Sequence, residues 1–182
     1  LGISVFGCAD RKYVLPIVSR LVPAKGNRNK LIIALALVRN LAPTIASKSV
    51  RLLFDYWFMR ARLILPLLSR KMQVIGQARY DTALFMPPEV LSKPRRGRPK
   101  IYGIKITPEA IQRLPATEVR LTLYGKEQLI RLRTVVAIAR FLKGVPVRAV
   151  WCEFYDADKL CWSKTRLLLA TETRLSAEEV LH

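Results

Sequence analysis

Asp55 closes an apolar run, Leu52-Leu53-Phe54, and is followed at once by Tyr56, Trp57 and Phe58. A carboxylate at the C-terminal end of a strand can reach the crevice in which open α/β sheets bind ligands. Two hard divalent ions about 4 Å apart, bridged by carboxylates, activate a water and stabilise the leaving oxygen of a phosphodiester. That chemistry needs neither histidine nor thiol, and the chain is poor in both. Its one histidine, His182, is the last residue, and Cys8, Cys152 and Cys161 form no C-x-x-C pair. Histidine-based acid–base catalysis, His-ligated metals, zinc sites and a disulfide framework are all disfavoured, and reduced thiols in a cytosolic compartment fit best. The plain alternative for Asp55 is an ordinary strand-end or helix N-cap aspartate. Trp57 and Phe58 carry the same ambiguity: they can stack on an unpaired base or seat the next helix on a sheet.

A second constellation is Lys93-Pro94-Arg95-Arg96-Gly97-Arg98-Pro99-Lys100, which is strongly basic and holds no acid. Its Arg-Gly-Arg-Pro core resembles that of AT-hook motifs, in which an extended arm places Arg side chains in a narrow A·T minor groove. Arg95, Arg96, Arg98 and Lys100 are the expected DNA contacts, with Trp57 as a candidate stacking residue. A solvated basic loop is the alternative, and even that would meet phosphates in a chain of this charge.

The charge balance favours a polyanionic partner. Lys and Arg number 32 against 13 Asp and Glu, a formal net charge of +19 with 51% hydrophobic residues. Such an excess repels itself unless something negative accompanies it. The 182 residues suffice for one ordinary domain or a domain with an insertion. No run is long and apolar enough for a membrane span, which needs roughly 20 residues, and no signal peptide is evident. The start at Leu1 and the helix start near the end suggest a piece of a longer protein.

Several elements must position these residues. Leu1 to Phe6 and Tyr13 to Val18 read as a hairpin, with Pro16 implying an edge or a bulge. Asn27 or Asn29 could cap a helix from about Lys30 to Ser47 that Pro43 bends or shortens. Val50 to Phe54 is apolar enough to predict a central strand, and Met59 to Lys71 predicts a helix carrying Arg60, Arg62, Arg70 and Lys71. Gln73 to Ala78 returns to strand. The order β-β-α-β-α-β predicts an α/β sheet with crossover helices. Prolines then crowd residues 86–115, and Glu118 to Tyr124, Leu129 to Ala139 and Val145 to Phe154 read as strands. We therefore divide the chain into a core part (1–85), a β-rich insertion (86–165) and a return to the core (166–182). Leu167 to Ala170 is a last core strand, and Ser176 with Glu179 reads as a capping box. Glu172, Glu178 and Glu179 are candidates for further metal ligands, although capping is the better-supported reading of Glu178 and Glu179.

Three stretches together resemble the ribonuclease-H-like catalytic domain of DDE transposases from bacterial insertion sequences. Leu52-Leu53-Phe54-Asp55-Tyr56-Trp57-Phe58 is similar to the family's strand bearing the second catalytic Asp. Arg96-Gly97-Arg98-Pro99-Lys100-Ile101-Tyr102-Gly103 is similar to a Gly-Arg-Pro…Tyr-Gly segment in the β-rich insertion of some members. Leu168-Leu169-Ala170-Thr171-Glu172-Thr173-Arg174-Leu175-Ser176 resembles the strand and turn before the helix with the catalytic Glu, although the family usually has Ser-Thr-Asp where this chain has Ala170-Thr171-Glu172. The resemblance implies a ribonuclease-H-like mixed sheet with flanking helices, interrupted by the insertion. It also implies DNA transposition by Mg²⁺- or Mn²⁺-dependent phosphodiester cleavage and strand transfer, with Asp55 as both catalytic residue and metal ligand. The other two carboxylates of the triad would lie before Leu1 and beyond His182, so this stretch by itself is expected to bind DNA but not to cut it. The implied partners are transposon-end and target DNA and further copies of the full-length protein, in the cytoplasm at the nucleoid. A non-catalytic DNA-binding module working through the Arg-Gly-Arg-Pro arm is the alternative.

Overall fold

The structure is a computed structural model that describes residues 1–8, 12–22, 28–45, 50–89, 97, 99–123 and 125–181. Strands β1 (Gly2–Cys8) and β2 (Lys12–Ser19) form the expected antiparallel hairpin. Ile3 pairs with Val18 but Ser4 pairs with Pro16. The strand thus bulges beside the proline, which has no N–H to give the ladder. Leu1 and Ile3 pack against the main core.

Helix α1 (Arg28–Ile45) follows, with Pro43 in its last turn, where the missing N–H removes one bond two residues before the helix ends. Ala34, Leu37 and Val38 are its buried residues. Strand β3 (Arg51–Phe54) leads through a turn into α2 (Ala61–Leu68) and then β4 (Gln73–Ala78), which lies parallel to β3. Leu63, Ile64 and Leu67 of α2 are wholly buried and lay the helix over the sheet. The helix is shorter than its apolar pattern predicts. Met59 is buried but stands before it, and Lys71, at φ +60°, stops it. The Met72 N–H donates to the Leu67 carbonyl and the Lys71 N–H to the Leu68 carbonyl, the Schellman pattern, with lysine where glycine is usual.

The remaining elements are β5 (Leu84–Phe85), α3 (Pro108–Arg113), β6 (Thr117–Leu123), β7 (Lys126–Ala139), β8 (Pro146–Asp156), β9 (Cys161–Trp162), β10 (Arg166–Ala170) and α4 (Ala177–Leu181). One mixed α/β sheet of eight strands runs β3-β4-β10-β8-β7-β5, with β6 also on β7 and β9 on β8. Only the β3–β4 pair is parallel; the rest are antiparallel. Strand β3 is therefore not central. It pairs with β4 alone among the described strands, and Leu53 is 59% exposed. Its apolar run reflects one face packed under helices, where Leu52 and Phe54 meet the core, and not burial on both edges.

Two layers of side chains clothe this sheet. On one face Val74, Ala137, Ala139, Val147, Ala149, Trp151, Leu167 and Leu169 join α1 and α2 in one core. On the other, Ile130, Leu132, Val150, Cys152 and Ala170 pack with Leu175 and Val180 beneath α4. The α4 start is the predicted capping box: the Glu179 N–H donates to Ser176 Oγ (3.1 Å) and the Ser176 N–H to Glu179 Oε2 (2.7 Å). Among the described residues no helix is long and apolar enough to cross a membrane.

Candidate functional site

Asp55 stands immediately after β3, at the C-terminal end of the parallel pair, and is exposed. Its Oδ1 accepts from the backbone N–H of Trp57 (3.0 Å) and of Phe58 (3.3 Å), and the Phe58 N–H also reaches the Asp55 carbonyl. This is an Asx-type turn, in which a short carboxylate closes the loop on its own backbone. The turn lets the chain reverse from β3 into α2. Phe58 stacks edge-on to Trp57 with ring centroids 4.9 Å apart and meets Phe54 at 6.0 Å, so the aromatics do seat the corner on the core. Trp57 remains half-buried, with Lys30 Nζ 5.7 Å from its ring centroid. Gly76, on the neighbouring strand, is what admits the corner. A Cβ there would stand 2.6 Å from the Phe54 carbonyl oxygen and 2.5 Å from Met59 Sδ.

Apart from Asp55, the charges at the start of the helix after this corner are basic. Asp55 is the only acid between residues 11 and 80. Arg60 occupies the N-cap position of α2 without a side-chain cap bond, and Arg62 follows in the first turn, which holds no acid. Both are exposed. A helix N-terminus normally attracts carboxylates; here uncapped N–H groups and two guanidiniums leave it electropositive. Arg79, just past β4, is held by both oxygens of Asp81 (3.0 and 2.8 Å).

No group of three or more His, Cys, Asp or Glu side chains that could hold a metal ion exists among the described residues. Glu172 lies at the other end of the sheet, since Thr171 beside it bonds Val74 and Gln73 at the start of β4. Arg51 to Asp55 spans four residues of extended chain, about 13 Å. Glu172 is engaged there by Arg51 Nε (2.8 Å) and by Arg174. The Arg51 hydrogen bond, opposed by burial and aided by Arg174, holds its carboxyl below the usual range. Glu179 serves the α4 cap. Among the described residues no set of donors makes a two-metal site, and Asp55 itself already accepts two N–H bonds.

Of the expected DNA contacts, Arg95, Arg96 and Arg98 lie outside the described residues, and Lys100 is exposed. The structure adds an ionic cluster that the sequence reading missed. Reading the registers across, Ala78, Leu167, Trp151 and Arg133 form one row, and Glu153 and Arg131 begin the next on the same face. Arg131 lies over Trp162, with its Cζ 4.0 Å from the ring centroid, and bonds Glu118 at 2.9 Å. Glu153 accepts from Thr165 (2.6 Å) and Arg133 (3.3 Å). The alternation Arg131-Leu132-Arg133 was the available signal, but its acids come from other strands. Burial pushes the Cys152 thiol on the opposite face up to about 11, so it is inert as a nucleophile. Set against protein-family models and curated proteins, the chain matches none.

Proposed function

We propose that this chain is a nucleic-acid-binding piece of a DDE-type transposase catalytic domain with a ribonuclease-H-like core. Its interface would be centred on the β3–α2 corner, and it would act on DNA in the cytoplasm at the nucleoid. The observation that carries the proposal is the corner itself: a lone carboxylate at the C-terminal end of a parallel strand, beside an uncapped helix N-terminus bearing Arg60 and Arg62. Backbone N–H groups and guanidiniums together suit phosphate oxygens. Lys100 and the arm of Arg95, Arg96 and Arg98 would extend this contact, with Trp57 at its edge. Asp55 would offer one ligand to Mg²⁺ or Mn²⁺ only alongside carboxylates from flanking sequence, so the chain by itself should bind DNA without cutting it.

A titration of duplex DNA against salt tests the binding. Log affinity should fall linearly with log salt, with a slope of about 0.9 per phosphate neutralised. Replacing Arg60 and Arg62 by Gln should lower that slope by about 2. Binding that is absent at low salt, or indifferent to salt, ends the proposal. Loss confined to Arg96→Ala and Arg98→Ala, with a preference for A·T tracts, selects the non-catalytic arm instead. For catalysis, Asp55→Asn in a longer protein that includes the flanking sequence should abolish Mg²⁺-dependent cleavage; retained cleavage removes Asp55 from the mechanism.

A further inference from the structure

Strand β6 pairs with β7 on one side and with no other described strand on its outer side. It is seven residues long and alternates cleanly. Val119, Leu121 and Leu123 are half-buried and pack toward the α4 core, while Glu118, Arg120 and Thr122 are exposed on the opposite face. The hairpin fixes which backbone groups are free. Leu123 faces Lys126 across a two-residue turn with Gly125 at φ +77°. Such a turn closes on a hydrogen-bonded pair, so Leu123, Leu121, Val119 and Thr117 direct their N–H and C=O groups to β7. Glu118, Arg120 and Thr122 direct theirs outward, and an edge of this length with unspent N–H and C=O groups is a template for another strand.

We propose that β6 pairs antiparallel with β6 of a second copy of this chain, about a two-fold axis at Val119, joining two sheets into one. The occupant is argued from charge. In this register Glu118 of each copy stands opposite Arg120 of the other, so the two-fold makes the same attractive pair twice. Moving the axis by one residue keeps the hydrogen-bond phase but sets Arg120 against Arg120, or Glu118 against Glu118. Like charges directly opposite are destabilising, so only the Val119-centred register is self-complementary. Arg120 forms no ion pair among the described residues, whereas Glu118 already accepts from Arg131 on its inner side and would sit between two guanidiniums in the dimer. On the other face Val119 meets Val119, and Leu121 lies over Thr117 of the second copy, which extends the apolar layer. Nothing in this pairing rests on the nucleic-acid proposal.

Two readouts test it on the whole chain, freed of nucleic acid. Sedimentation should show a dimer that E118R or R120E alone weakens by about tenfold or more, and that the double exchange E118R/R120E restores. With Cys8 and Cys161 replaced by Ser, V119C should form a covalent dimer under mild oxidation, because opposed residues outside the hydrogen-bonded pairs lie about 4.5 Å apart at Cα. R120C should not, since its copies would sit diagonally, roughly 7–8 Å apart. A monomer at every concentration overturns the proposal. So does a dimer that the single exchanges leave unchanged, or one that V119C fails to trap.

Discussion

At the scale of single residues, substitution can separate the acceptor that Asp55 gives its turn from the charge it carries. Asp55 closes its turn through Oδ1, and asparagine keeps that acceptor while removing the charge. Asp55→Ala should cost about 1 kcal/mol of stability, as the loss of a comparable cap does, whereas Asp55→Asn should cost a fraction of it; urea unfolding distinguishes them. Glu172 offers a different signature. Its folded carboxyl is held below the ordinary 4.5, chiefly by Arg51. Its contribution is therefore complete above that value and is lost as pH falls through the lowered one. Glu172→Gln should be less stable than the parent at neutral pH by about 1 kcal/mol, since both guanidiniums remain solvent-accessible. The gap should close as the medium is acidified below 4.5, which unfolding midpoints measured against pH will show. The sequence made Asp55 visible because an acid ending an apolar run is a local pattern. It could not show that Glu172 is spoken for, because its partner Arg51 stands 121 residues away.

At the scale of elements, local pattern served helices and hairpins and failed at sheet edges. The β1–β2 hairpin, the Pro16 bulge and the Ser176/Glu179 box all follow from neighbours in the chain. The position of β3 does not: Leu52-Leu53-Phe54 suits either a central strand or an edge with one face covered, and which one holds is decided by β4 and β10. The α2 boundary escaped for another reason. A lysine in left-handed conformation ended the helix where no glycine announced it. Gly76 is the element-scale test. Gly76→Ala should destabilise by roughly 1–3 kcal/mol, as overpacking does, because Met59 can move aside but the Phe54 carbonyl cannot. Thermal unfolding of this variant beside Ser176→Ala, expected to cost about 1 kcal/mol, compares a backbone clash with a lost cap.

At the scale of the whole molecule, the basic excess and the mixed sheet belong together. The β3–α2 corner and the Arg131–Trp162 cluster rise from one face, separated across that face by the width of the β4, β10 and β8 strands. Composition points towards a polyanionic partner; the strand registers place Arg131 and Arg133 side by side on one face. The same sheet also dictates an order of events. Val74 closes its bonds with Thr171, 97 residues later, so β4 must wait for β10 before both its edges are satisfied. During synthesis the β6–β7–β8 meander, whose neighbours are adjacent in sequence, can form while β4 still has one bare edge. Slow, long-range closure of this kind exposes a sticky strand to its neighbours. Expression at lower temperature, or with more chaperone, should therefore raise the soluble yield more than any surface substitution far from β4.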